Sequence, residues 1–295
     1  MRAVLATVGL LLGLALGAGA PARAEPVRVV DARGHLVTFA RPPQRIVSLL
    51  PSLTEAVCAL DACERLVGVD RFSNWPASVA ALPKLGGLED AQIERIVTLK
   101  PDLVLAAESA RVIDRLEALG LTVVALQPTD FAGTRRMLNT LAAVLGRPAA
   151  ADALWQRLQA RLDAAAAQMP PAWRGRRVYV EISATPYAAG TSSFVGELLA
   201  RLGLHNIVPV SLGAFPKLNP EFVVRAQPDL VIASAAAVAE MPRRPGWAAL
   251  RALAAHRQCG FAPERMDVVV RAGPRLGEAA EAIVQCLAAI GPEGR

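Results

Sequence analysis

The sequence predicts an α/β protein of two similar lobes, each a mainly parallel sheet covered by helices. One long rigid α-helix joins them and leaves a ligand cleft between the lobes. Three observations carry that prediction. The stretch Glu94-Arg95-Ile96-Val97-Thr98-Leu99-Lys100-Pro101-Asp102-Leu103-Val104-Leu105-Ala106 returns 127 residues later as Glu221-Phe222-Val223-Val224-Arg225-Ala226-Gln227-Pro228-Asp229-Leu230-Val231-Ile232-Ala233. Each copy reads as a short amphipathic helix led by a glutamate, a Pro-Asp stop and a buried strand. On both sides of the midpoint, apolar runs of strand length alternate with helical patterns, as in parallel sheets covered on both faces. Between the copies, residues 149–169 are rich in Ala, Leu, Arg and Gln and contain no Gly or Pro. About 20 such residues form a rod of roughly 30 Å. A period this long, seen only twice, points to paired domains rather than a solenoid.

The N-terminus comes first. Arg2 precedes an apolar run over 3–16 and small residues ending Ala22-Arg23-Ala24, which reads as a secretory signal over 1–24 cut before Glu25. The apolar core is shorter than the roughly 20 residues that span a bilayer. No cysteine stands near the cleavage site to accept a lipid, so the expectation is a freely soluble, periplasmic monomer. Residues 25–44 read as a hairpin flap, with strands on either side of a turn at 31–34.

Lobe one is expected over 45–147. It begins with a strand at 46–50, a helix at 54–60 opened by a Ser/Thr cap and a strand at 66–69. Helices near 91–99, 110–119 and 132–146 then alternate with strands at 103–106 and 122–126. The linking helix takes 148–170 and lobe two 171–295. Lobe two should hold strands at 177–182, 230–233 and near 267–270, with helices at 193–202, 221–226, 247–256 and 276–289.

Composition narrows the function. Removing Arg2 and Arg23 leaves 30 basic and 26 acidic side chains, a formal charge of +4, too mild and dispersed for a nucleic-acid surface. The four cysteines permit disulfides in an exported protein. Pairing Cys58 with Cys63 and Cys259 with Cys286 keeps each bridge inside one lobe; a zinc site is the alternative, but no histidine lies near the first pair. An enzyme is not expected. Ser52, Ser73, Ser192 and Ser193 lack a G-x-S-x-G setting, and Gly86-Gly87 is too short for a phosphate loop. Glu89 and Asp90 sit on a loop as solvated acids.

Ligand contacts in such a fold come from loops at the strand ends facing the cleft. In lobe one these are Pro51-Ser52 and the stretch from Asp70 through Phe72 to Trp75; in lobe two, Tyr187, Phe215, Asp267 and Arg271. Aromatic faces with Ser, Asp and Arg among them suit a large planar ligand with a polar fringe. Arg71, Arg271 and Lys217 would instead suit an anionic chelate.

The motifs Arg45-Ile46-Val47-Ser48-Leu49-Leu50-Pro51-Ser52-Leu53-Thr54-Glu55, Leu66-Val67-Gly68-Val69-Asp70 and Leu85-Gly86-Gly87, with the repeat and the linking helix, resemble the periplasmic substrate-binding proteins of ABC importers. The subgroup resembled carries vitamin B12, haem and ferric siderophores, and the chain is most similar to the vitamin B12-binding members. The resemblance covers about 41–290. It implies that Glu94 and Glu221 dock the two lobes on arginines of the membrane permease. It also implies that Phe72 stands where those relatives have a corrin-contacting tyrosine. Arg271-Ala272-Gly273-Pro274-Arg275 fixes Asp267 as the counterpart of their ligand-contacting aspartate. The corrinoid would be cargo, with no resident cofactor and no bound metal. Two departures stand out: Leu88 and Phe215 replace tryptophans of the vitamin B12 relatives, and Trp75 replaces a tyrosine that ligates iron in haem relatives.

Overall fold

The computed structural model describes residues 26–183 and 186–291. The expected signal over 1–24 lies outside them. A flap of β1 (Val27–Val30) and β2 (Leu36–Phe39) pairs antiparallel. Lobe one follows as β3 (Ile46–Ser48), α1 (Pro51–Ala59), β4 (Leu66–Val69), α2 (Ile93–Thr98), β5 (Leu103–Ala106), α3 (Ile113–Ala118), β6 (Val123–Ala125) and α4 (Phe131–Val144). The linking helix is α5 (Pro148–Ala167). Lobe two holds β7 (Arg177–Ser183), β8 (Tyr187–Ala188), α6 (Phe194–Arg201), β9 (His205–Asn206), α7 (Pro220–Ala226) and β10 (Leu230–Ser234). It ends with α8 (Ala235–Glu240), α9 (Arg251–Ala254), β11 (Gln258–Phe261), α10 (Pro263–Val269) and α11 (Leu276–Ile290).

Both sheets share one topology. Lobe one orders its parallel strands β4-β3-β5-β6; lobe two orders them β9-β7-β10-β11, with β8 antiparallel on the far half of β7. Successive residues of each central strand enter opposite cores, because side chains alternate across a sheet. Leu103 and Leu105 join one core and Val104 and Ala106 the other, so the whole of β5 is buried. In lobe two, Leu230 and Ile232 separate from Val231 and Ala233 in the same way.

The sequence repeat is a structural repeat down to its turns. Lys100 and Gln227 both take left-handed backbone, φ 47° and 43°, just before their prolines. Each following aspartate then ties down the start of the neighbouring strand: Arg45 N donates to Asp102 Oδ1 at 2.8 Å, and Arg177 N to Asp229 Oδ2 at 3.0 Å. The carboxylates thus satisfy N–H groups at or just before the first residue of each strand.

The first half of α5 packs Ala151 and Leu154 into lobe one, and its second half packs Leu158, Leu162 and Ala165 into lobe two. Against it, α11 approaches so closely that a Cβ on Gly277 would lie 2.6 Å from the Arg161 Cβ. Arg161 then pairs with Glu281 and Glu278. The connector is a strut embedded in both cores rather than a free hinge. Trp155 packs where those cores meet, and Trp173 is buried with Nε1 donating to Leu287 O at 3.0 Å.

Three expectations are corrected. Helix α1 starts at Pro51 behind Leu50 with no side-chain cap, because proline suits the first helical turn; Thr54 lies inside the helix and bonds Ser48 and Ser73. The segment at 267–270 is helix α10 with its end, not a strand, since Pro263 and Glu264 start a helix and β11 already holds that sheet edge. The helix at 247–256 is a 3-10 turn (Trp247–Ala249) and then α9, ending before left-handed His256.

Disulfides join Cys58 to Cys63 and Cys259 to Cys286, each within one lobe.

Candidate functional site

The loops that follow parallel strands gather at their C-terminal ends, and in this topology ligands bind there. Lobe one contributes Leu50, Pro51 and Ser52 after β3, Phe72 and Leu88 after β4, Ala107 and Ser109 after β5, and Gln127 and Pro128 after β6. Lobe two faces them with Ile182 at the end of β7, Phe194 opening α6, Phe215, and the segment bearing Asp267, Val270, Arg271 and Ala272. Together they line an open cavity of about 420 Å³ between the lobes. Phe194 and Phe215 stack at a tilt with centroids 5.7 Å apart, giving lobe two an aromatic wall.

Asp70 builds the rim. Its buried carboxylate accepts from Phe72 N at 2.7 Å, Ser73 N at 3.1 Å and the Ser73 hydroxyl. Burial raises the Asp70 pKa, although those donors and Arg271 act in the other direction. With the backbone so held, Phe72 projects outward, 59% exposed, at the cavity edge.

Arg271 closes the site across the lobes. Its Nη1 donates to Glu55 Oε1 and to Asn74 Oδ1, both at 2.8 Å; Nη2 donates to Phe72 O at 3.0 Å and Asp267 Oδ2 at 2.7 Å. Asn74 Nδ2 donates to the same Asp267 oxygen at 2.9 Å. Both ends of the Arg271–Glu55 pair are buried, and Glu55 Oε2 has no hydrogen-bond partner among the described residues. Burial raises the Glu55 pKa against the pull of Arg271 and Arg275, with Glu278 adding to the rise. A second seam joins the lobes beside α5: Phe194 N donates to Thr129 O at 2.7 Å and Phe131 N to Glu197 Oε2 at 2.5 Å.

Of the sequence candidates, Ser52, Phe72, Phe215, Asp267 and Arg271 meet at this cavity. Trp75 and Tyr187 do not line it. Trp75 lies under the Arg275 guanidinium at 4.7 Å, and Tyr187 is on edge strand β8, 41% exposed, bridged to Lys217. Arg71 pairs with Asp90, and neither it nor Lys217 lines the cavity. Leu50, Ala107, Ser109, Gln127, Pro128, Ile182 and Phe194 were not singled out from sequence, though all but Phe194 follow or end predicted strands. Their shared position was the available signal. Glu94 and Glu221 sit exposed in the first turns of the equivalent helices α2 and α7; Glu221 is 3.7 Å from Arg225, while Glu94 has no ion-pair partner among the described residues.

Two lobes of one topology, one rigid connector and an inter-lobe cleft define a bilobed ligand-binding protein. The chain belongs to the periplasmic binding protein family, whose model matches residues 46–259. It is 29% identical over 273 residues to the uncharacterized ABC transporter substrate-binding lipoprotein YvrC of Bacillus subtilis, covering 89% of this chain and 85% of that one. Among solved structures, the periplasmic vitamin B12-binding protein BtuF of Vibrio cholerae superposes with a TM-score of 0.69 at 25% identity, covering 84% of this chain and 98% of its own. A periplasmic haem-binding protein of Pseudomonas aeruginosa gives 0.72 at 27% identity, covering 86% and 94%.

Proposed function

We propose that this protein is an exported receptor that captures a corrinoid between its lobes and hands it, chemically unchanged, to an ABC import permease. The cavity chemistry carries the choice of ligand. Its walls are mainly apolar, with an aromatic pair on lobe two, and its polar groups are Ser52, Ser109, Gln127, Asp267 and Arg271. Arg271 is already held by Glu55 and Asp267, so no unpaired cation awaits an anionic ligand. That pattern favours a neutral, amide-fringed macrocycle over the carboxylates of haem or an anionic ferric chelate. Iron ligation has little support: the chain has two tyrosines and three histidines, and none of the five lines the cavity. The likeness to BtuF supports the same reading.

In this reading Glu94 and Glu221 are the docking charges. Two exposed anions at matched places on rigid lobes set both spacing and orientation, and complementary charge speeds encounter.

The test is calorimetric titration of the purified protein with cyanocobalamin, haemin and a ferric siderophore. Saturable micromolar or tighter binding of cyanocobalamin alone is expected. Binding of haemin in its place, with an iron–tyrosinate spectrum, would transfer the assignment to haem.

A further inference from the structure

The loop that follows β4 is held from both lobes. Within lobe one, the Asp70 carboxylate accepts from the N–H groups of Phe72 and Ser73, and Lys84 Nζ donates to Ser73 O at 2.7 Å. Lobe two takes the remaining groups. Arg271 Nη2 donates to Phe72 O at 3.0 Å, Arg271 Nη1 donates to Asn74 Oδ1 at 2.8 Å, and Asn74 Nδ2 donates to Asp267 Oδ2 at 2.9 Å. At the next residue the Arg275 guanidinium lies over the Trp75 ring, 4.7 Å from its centroid.

Arg271 has little left to offer a ligand. A guanidinium carries five N–H donors, four of them on its two Nη atoms. Those two atoms bond Glu55 Oε1, Asn74 Oδ1, Phe72 O and Asp267 Oδ2, so at most the Nε hydrogen remains. Three of those acceptors belong to lobe one. Glu55 on α1 and Asp267 on α10 place opposite charge against the guanidinium from either lobe, which fixes the direction of its fork. A lysine ammonium is a compact point charge with three donors and cannot serve acceptors spread in this way.

We propose that Arg271 is a positioning residue for ligand binding: through Phe72 O and Asn74 it presets the Phe72 ring at the cavity rim, and it does so from the opposite lobe. The proposal rests on the corrinoid reading above and deepens it. The Phe72 ring is 59% exposed, so backbone bonds rather than burial set its direction. Order at the rim then depends on the lobes being together. An aromatic face held in place before the ligand arrives lowers the ordering cost of binding.

Cyanocobalamin titrations of the parent, Arg271→Lys, Phe72→Ala and the double variant test this, with amide hydrogen exchange measured on the ligand-free proteins. Arg271→Lys should weaken binding about fivefold when Phe72 is present and by less than about twofold once it is alanine, since a residue that acts through another is not additive with it. Exchange over residues 71–75 should quicken in Arg271→Lys while the amides of β3 and β5 keep the parent's protection. Asn74→Ala, at an exposed position, removes two of the three hydrogen bonds between the loop and lobe two and should give the same pattern more weakly. Should Arg271→Lys not fold, Asn74→Ala in the same two backgrounds decides. Equal losses with and without Phe72, as direct ligand contact or general loss of structure would give, overturn the positioning role and leave the corrinoid reading standing. Unchanged exchange over the loop does the same. Failure of the parent to bind cyanocobalamin overturns both readings.

Discussion

Arg271 of lobe two and Glu55 of lobe one form a buried ion pair across the cleft, Nη1 to Oε1 at 2.8 Å, although 216 residues separate them. Breaking one side of such a pair strands the other charge, at a cost of about 3–5 kcal/mol when it stays buried. Water entering the space left by the guanidinium would lower that cost, so Arg271→Ala should lose roughly 3 kcal/mol at most. A double-mutant cycle with Glu55→Gln should give a coupling above the ~0.2–1 kcal/mol of exposed pairs. X-ray scattering of Arg271→Ala should report a larger radius of gyration. Coupling indistinguishable from zero would mean the pair does not form in solution.

Two carboxylates should shape the pH dependence with opposite signs. Burial would raise Asp31, but Arg33 and the N–H groups of His35 and Ala125 outweigh it and leave the carboxyl below its ordinary 3.8. Its stabilisation is therefore present above pH 3.8 and lost as pH falls through the lower folded value. Asp31→Asn should be less stable than the parent at neutral pH, with the gap closing in acid. Glu55 is raised above 4.5, so the fold prefers its protonated form, and stability falls as pH rises through that interval. Glu55→Gln should weaken this falling limb in denaturation curves taken from pH 4 to 8, and the raised Asp70 should keep its own share of it.

The cavity walls should carry ligand affinity. Phe72→Ala and Phe215→Ala each remove an aromatic face worth about 0.5–1.5 kcal/mol beyond its area, so each should weaken binding by roughly tenfold, about 1.4 kcal/mol. Trp75→Ala and Tyr187→Ala lie off the cavity and should change affinity by less. Calorimetry on the four variants decides it; a larger loss at Tyr187 than at Phe215 would relocate the site.

Docking should separate from binding. Glu94→Arg and Glu221→Arg stand on exposed helix turns outside the cavity and should keep ligand affinity within about twofold. Together they should abolish permease-dependent uptake in reconstituted vesicles. Preserved uptake would leave both residues as ordinary helix-start acids, worth a few tenths of a kcal/mol.

The disulfides should contribute unequally. By loop entropy, the bridge with a sequence separation of 27 is worth about 3.5 kcal/mol and the one with a separation of 5 about 2 kcal/mol. Replacing Cys259 and Cys286 by serine should lower the melting temperature more than replacing Cys58 and Cys63.

The fold was legible because its signals are local. Strands such as β4 and β5 were bounded from their apolar runs alone, and the Pro-Asp stops located the repeat. Errors fell where two local signals competed: Met266 to Val270 is apolar enough for a strand, yet Pro263 and Glu264 start a helix there. The site was only partly legible. Phe72 and Trp75 share one loop and one residue class, but the turn around Asp70 sends Phe72 to the cavity rim while Trp75 stacks under Arg275. Sequence offers no measure of that rotation.

The sequence by itself determined two α/β lobes, their repeat, the linking helix and the loops from which a site is made, since each is written in periodicity and turn chemistry within a few residues. Only the tertiary structure decided that Arg271 is bound to Glu55 rather than free for a ligand, and that Tyr187 stands aside. Those outcomes depend on how two separately patterned sheets dock along α5, and a docking geometry is a sum over distant contacts that no local pattern encodes.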